Sequence, residues 1–417
     1  MRLKNCVHQF ENGVVLLFEE AEWTESFAAA VTLRTAGSIF ESDELSGLAN
    51  LTCDMTDRGV EGYDNREFLE EFQNIGVHST SAVQKERVTF AAKGLVDNWE
   101  RALELLALQI LKPTFQEDEF EAAKQSQLLE LTANEDEPDI KNELAFNSIL
   151  LQHPYGRPTL GTIETVQNIT LKDVISFHNA FYCPNDMIVA ISGRIDWERL
   201  KGKIADLFGG WSKKQVNFPV AKDSGKSIIQ LPSNNAQTRF RLGYEDVPVN
   251  SPDYLKSRVG IRVLSGGMSS RLFTEVREKR GLCYSVGAVP LALTNKGYTS
   301  FVCSTTTERA QESLDVIISE IDRLSSEPIL PKELELVKIR SKSSLVMQRE
   351  STVVRVISML ADWIYFGEIQ SIEEKLQRVN ALTCEDVESY YSKFKQRKFR
   401  LATLGGEPLT IPSSRIY

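Results

Sequence analysis

The chain has 417 residues, long enough at about 150 residues per domain for two or three self-sufficient cores without disulfide staples. Hydrophobic residues make up 42% and charged residues 25%, which excludes collagen-like, disordered and membrane-embedded classes. The formal net charge is −10 with acids and bases interspersed, which argues against a nucleic-acid partner.

The start, Met1-Arg2-Leu3-Lys4-Asn5-Cys6, lacks the apolar stretch of a secretion signal, and no apolar run reaches the roughly 18 residues of a membrane span. The expected compartment is therefore the cytoplasm, with no membrane contact. Short runs rich in Val and Phe at residues 14–18, 27–33 and 88–92 read as strands. Residues 97–111 carry Trp99, Ala102, Leu103, Leu105, Leu106 and Ile110 at helical spacing, so an amphipathic helix is predicted there, stopped by Pro113; residues 117–131 predict a second. Residues 212–227 are polar, hold Pro and Gly, and show no apolar period, which predicts a linker. Beyond it the order returns: a strand at 298–304, a helix at 309–324, and a helix at 331–345 opened by Pro331.

The recurrence extends to local wording. Glu71-Phe72-Gln73-Asn74-Ile75-Gly76 parallels Val276-Arg277-Glu278-Lys279-Arg280-Gly281, Phe90 parallels Phe301, Glu100-Arg101-Ala102-Leu103 parallels Gln311-Glu312-Ser313-Leu314, and Pro113 parallels Pro328. Order persists while the offset drifts, as a duplicated domain of about 200 residues would show. The predicted division is 1–211, a linker at 212–227, and 228–417. Strands and helices alternate without a strict βαβ beat, so the expected class is α+β, each domain a mainly antiparallel sheet with helices packed on one face.

The residue types that carry chemistry are sparse. The six cysteines form no C-x-x-C pair, as suits reduced thiols, and no two of the four histidines (His8, His78, His153, His178) stand at metal-ligand spacing. Gly266-Gly267 with Ser269-Ser270 lacks the spacing of a phosphate loop.

Four ordered stretches nevertheless resemble one family. Gly37-Ser38 with Glu41, followed by Gly47-Leu48-Ala49-Asn50-Leu51-Thr52-Cys53-Asp54-Met55, is similar to the opening "G-S-x-x-E … G-L-A-H-x-x-E-H-M" of the pitrilysin/insulinase zinc peptidases, which include mitochondrial processing peptidase. His153-Pro154-Tyr155-Gly156-Arg157-Pro158-Thr159-Leu160-Gly161, Phe181-Tyr182-Cys183-Pro184-Asn185-Asp186-Met187, and the segment from Gly266 through Val276-Arg277-Glu278 to Tyr284 match further pieces in order. The resemblance runs from about Asn12 to Leu404 and implies a two-domain clamshell.

The departure from the family pattern is as informative. Active members bind zinc through the histidines of H-x-x-E-H and activate water with its Glu. Here those positions hold Asn50, Cys53 and Asp54, while Glu130 stands at the third-ligand position. A Cys/Asp/Glu site is conceivable on donor chemistry, but no base would remain for water. The expectation is no metal in this chain.

Arg277 and Tyr284 match the pair by which the family binds substrate carbonyls and the developing oxyanion, and both residue types suit that task. His78-Ser79-Thr80-Ser81-Ala82 aligns with the edge strand on which the family pairs an incoming peptide. The resemblance thus implies a non-catalytic subunit supplying Arg277 and Tyr284 to a homologous partner that holds zinc on an intact H-x-x-E-H, the heterodimer acting on peptides or unfolded polypeptides. The alternatives are an inert scaffold, like the core subunits of respiratory complexes, and a homodimeric peptidase with an atypical metal site.

Overall fold

The computed structural model describes residues 5–233 and 235–417, so four of the six opening positions inspected for a leader lie outside it. The chain folds as two compact units, each built on its own sheet.

The first sheet contains β1 (Asn5–Gln9), β2 (Val15–Glu20), β3 (Ser26–Leu33), β4 (His78–Val83), β5 (Val88–Leu95) and β6 (Ile188–Gly193), in the order β1-β2-β6-β3-β5-β4. The second contains β7 (Ile228–Pro232), β8 (Gln237–Asp246), β9 (Cys283–Ala292), β10 (Gly297–Thr306) and β11 (Arg400–Gly405), in the order β7-β11-β8-β10-β9. Apart from β1 the two orders are the same, with one parallel pair in each (β2 with β6, β7 with β11) and antiparallel pairing elsewhere. Duplication read from wording is thus also duplication of topology, and the mainly antiparallel sheets are as expected.

The helices follow the same parallel. α3 (Trp99–Leu111) and α4 (Glu117–Glu135) correspond to α10 (Ala310–Ser326) and α11 (Pro331–Met347), close to the stretches that apolar periodicity marks out. α1 (Leu48–Met55), α2 (Asn65–Asn74), α6 (Ile163–Asn168), α7 (Leu171–Phe181) and α8 (Trp197–Phe208) complete the first unit's own helices. α9 (Tyr254–Ser265), α13 (Ile372–Ala381) and α14 (Cys384–Tyr391) belong to the second. None of the described helices is long and apolar enough to cross a membrane.

One feature lies beyond the contiguous division expected from the sequence. α5 (Pro138–Leu150) belongs to the second unit, and α12 (Thr352–Phe366) to the first. Each covers the sheet face that the other helices leave open. Val356, Met359, Leu360 and Ile364 of α12 pack on Val15, Leu17, Ala28, Ala30, Ile188 and Ala190, while the alternate residues Phe27, Ala29 and Val31 are buried towards the opposite face. In the second unit Phe146 and Leu150 of α5 meet Tyr298 and Ala402. Gly243 is needed there, because a Cβ at that position would run into the Phe146 ring.

Candidate functional site

The first cluster forms around α1. Its start is set by two close backbone approaches: Gly47 has φ +99 and Gly161 has φ +76, and a Cβ on either would strike the main chain of the other segment. Glu41 caps the helix, its carboxylate accepting from the amides of Ala49 at 2.7 Å and Gly47 at 3.2 Å. Burial nonetheless pushes the Glu41 carboxyl up to about 8, against the pull of those two amides and of Arg157. The family-like glycines and Glu41 therefore build the start of α1.

Asn50 and Asp54 lie one turn apart on α1, with Cys53 turned inward. The Asn50 amide donates to Gln127 Oε1 at 3.2 Å, and Gln127 in turn donates to the carbonyls of Gly47 and Leu160. Asp54 accepts from Arg58 Nε at 3.1 Å, and the same guanidinium reaches Glu119 at 3.4 Å. Cys53 is 3% exposed; burial first, then the nearby Asp57 and Asp54 charges, hold its thiol far above the usual range. Glu130 stands exposed on α4, one turn beyond Gln127.

This donor set does not fit a zinc ion. The amide is engaged, the thiol is protonated and enclosed, and Asp54 already has a cationic partner whose charge would oppose a divalent ion. Among the described residues, no group of three or more His, Cys, Asp or Glu side chains is arranged to hold a metal.

Next to Cys53 lies a partly buried polar knot for which the sequence carries no signal. Asp57 accepts from Ser81 Oγ at 3.2 Å and from the Gln109 amide, and burial raises its carboxyl to about 7. Ser81 is on β4, which pairs with β5 alone, so the outer edge of the expected peptide strand, His78 to Ala82, has no partner strand among the described residues. His78, Thr80 and Ala82 are exposed along it, while Ser79 and Ser81 are half-buried.

The second cluster is on the other unit. Arg277 lies in a π-helical segment, Phe273–Lys279, a wider winding often found where a side chain must be presented. Tyr284 occupies a β-bulge: Ser304 pairs with Ser285 and Thr305 with Cys283, leaving Tyr284 opposite nothing. Its side chain is 81% exposed, and the Arg277 guanidinium stands over its ring at 5.9 Å and over Phe273 at 4.9 Å. Neither the guanidinium nor the phenol has a hydrogen-bond or ion-pair partner among the described residues.

The two clusters differ in chemical state. Around α1 the polar groups of Asn50, Asp54 and Asp57 are engaged within the chain; at Arg277 and Tyr284 a guanidinium and a phenol stand together with no acceptor among the described residues. Gln127 and Arg58 were detectable only as neighbours at helical spacing, three before Glu130 and four after Asp54.

Known proteins resemble this chain over nearly its whole length. The family described as Insulinase (Peptidase family M16) matches residues 15–163, and Peptidase M16 inactive domain matches residues 168–340. An uncharacterized zinc protease of Rickettsia felis is 26% identical over 385 residues, covering 91% of this chain and 92% of its own. The uncharacterized zinc protease YmxG of Bacillus subtilis is 27% identical over 396 residues, 94% of this chain and 96% of its own. In three dimensions, a crystal structure of a peptidase M16 inactive domain from Pseudomonas fluorescens aligns with TM-score 0.88 at 24% identity, over 98% of this chain and 100% of that one.

Proposed function

The chain belongs to the pitrilysin/insulinase (peptidase M16) family, and from that premise we propose that it is the zinc-less subunit of a two-subunit peptidase. A homologous partner with an intact H-x-x-E-H supplies the metal and the water-activating Glu. This chain supplies Arg277 and Tyr284, which donate to a substrate carbonyl and to the oxyanion that forms as the amide is attacked. The β4 edge from His78 to Ala82 receives an extended peptide as an added strand.

The observation that carries the reading is the contrast in commitment. Asn50, Cys53 and Asp54 are bonded or enclosed, whereas Arg277 and Tyr284 are adjacent, solvent-facing and without hydrogen-bond or ion-pair partners among the described residues. Exposed donors of this kind gain strength when a partner and substrate exclude water from them.

Co-expression with a homologous H-x-x-E-H subunit, followed by a peptide-cleavage assay with and without chelator, tests the proposal. Cleavage that needs both chains, stops with chelator, and falls about 10²- to 10³-fold on Arg277→Ala or Tyr284→Phe is expected. Full turnover by the H-x-x-E-H subunit alone, or turnover indifferent to both substitutions, would overturn it.

A further inference from the structure

The turn between Arg277 and Tyr284 has its main chain fully engaged. Gly281 and Leu282 join the π-helical segment that carries Arg277 to the strand start that carries Tyr284. The Gly281 amide donates to the Arg277 carbonyl at 3.2 Å and the Leu282 amide to the Val276 carbonyl at 2.9 Å, which ties the turn to the Arg277 segment. The two carbonyls are held from elsewhere, by side chains at the end of β10 and at the residue before α10. Thr305 Oγ1 donates to the Leu282 carbonyl at 2.5 Å, and Arg309 Nη1 donates to the Gly281 carbonyl at 2.5 Å. All four polar main-chain groups of the turn are thus paired, two by backbone and two by side chains.

Thr305 grips the strand start at two places. Its main chain pairs with Cys283, the residue between the turn and Tyr284, and its hydroxyl holds Leu282 one step earlier. The ladder then skips Tyr284 and resumes where Ser304 pairs with Ser285. Tyr284 and Ser285 are consecutive yet both exposed, so the alternation of faces is broken there, and no ladder partner among the described residues fixes Tyr284 itself. A slip of one residue at this point would turn Tyr284 towards the other face of the sheet. Thr305 is 4% exposed and β-branched, which restricts its side-chain rotation and keeps the hydroxyl on the Leu282 carbonyl.

We propose that Thr305 is the positioning residue for Tyr284, with Arg309 as the second point of a bracket: together they pin the turn so that the bulge opens at Tyr284 and sets its phenol beside Arg277. Neither is a catalytic residue; each acts through the seating of the turn. The placement stands on the chain's own bonds, while its consequence for amide cleavage rests on the proposed function. There the cost of misplacement is large, because a displacement of about 1 Å can lower a rate about 10²-fold.

The full chain is prepared with ring-labelled tyrosine for NMR, and the Tyr284 signal is assigned by its loss in Tyr284→Phe. Thr305→Val, which keeps the shape and removes the hydroxyl, and Arg309→Met are each expected to move that signal while the Tyr298 signal of β10 stays in place. Thr305→Ser is expected to return the Tyr284 signal to its wild-type position. In the co-expressed pair with an H-x-x-E-H subunit, Thr305→Val is expected to lower kcat about 10- to 10²-fold with KM nearly unchanged, and to add nothing in the Tyr284→Phe background. A Tyr284 signal unmoved by Thr305→Val and by Arg309→Met would overturn the proposal whatever the pair's activity, and so would a loss on Thr305→Val that adds in full to that of Tyr284→Phe. Should Thr305→Val not fold, Arg309→Met, at an exposed residue, decides alone. Turnover indifferent to Tyr284→Phe would sink the proposed function and leave the tyrosine signals to decide the placement.

Discussion

The Arg355 guanidinium grips the Glu19 carboxylate at two points, Nε to Oε1 at 2.6 Å and Nη2 to Oε2 at 2.5 Å, with both side chains shut away from water. Glu19 lies in β2 and Arg355 in α12, 336 residues later, so the pair fixes the seating of a helix from the second half of the chain on the first sheet. Removing one member leaves a buried charge without its counterion, and Arg355→Met is expected to cost about 3–5 kcal/mol. Combining it with Glu19→Leu should recover most of that loss. Urea unfolding of the single and double variants checks this; an additive double loss would show that the pair is not the source.

Gly161 and Gly62 both have positive φ, +76 and +89, but only Gly161 is pressed against backbone, the carbonyl of Ser46, while Gly62 faces open space. Gly62→Ala should cost about 1–2 kcal/mol for the left-handed conformation alone. Gly161→Ala adds a collision at the start of α1 and should cost clearly more. Thermal melting of the two variants measures the difference, and equal losses would refute the role given to the close approach.

Glu41 predicts a pH dependence whose sign follows from burial. Its carboxyl is raised from the ordinary carboxylate range to about 8 in the folded chain, so the folded state holds this proton more tightly than the unfolded state. The stability it contributes is complete below the unfolded value and is lost as pH rises towards 8. Relative to Glu41→Gln, the wild-type chain should therefore weaken between about pH 5 and 8, by up to about 1.4 kcal/mol per pH unit. Asp57, raised to about 7, changes in the same direction but is common to both proteins. Denaturation midpoints across that range test the slope; a constant difference would show that Glu41 titrates as in water.

Among the described residues Arg277 and Tyr284 make no hydrogen bond or ion pair, and Tyr284 is exposed. Arg277→Ala and Tyr284→Phe should each leave stability within about 0.5 kcal/mol of wild type, as exposed substitutions generally do. Urea midpoints would settle it, and a loss above about 1 kcal/mol would identify a structural pair instead.

Much of the architecture was legible because it rests on local periodicity. The three-to-four spacing of residues 97–111 gave α3, the Val/Phe runs gave β2, β3 and β5, and paired wording at Gly76 and Gly281 marked a duplication that the two strand orders repeat. The departure from the family's H-x-x-E-H pattern at Asn50, Cys53 and Asp54 was equally plain, since it is written in residue types. Its surroundings were not. That Gln127 holds Asn50, that Arg58 binds both Asp54 and Glu119, and that Ser81 reaches Asp57 depend on which faces of α1, α4 and β4 meet.

The amino-acid order alone settled that two related α+β units exist and where their main helices lie, and it shows Asn50, Cys53 and Asp54 where the resemblance would have H-x-x-E-H, because each of these is written in spacing or identity along the chain. Tertiary packing alone decided that α5 covers the second sheet and α12 the first, and that a bulge raises Tyr284 beside Arg277. An apolar helical stripe states that a face must be buried but not which sheet will bury it. That choice is made by partners far away in sequence, such as Glu19 for Arg355 and Gly243 for Phe146.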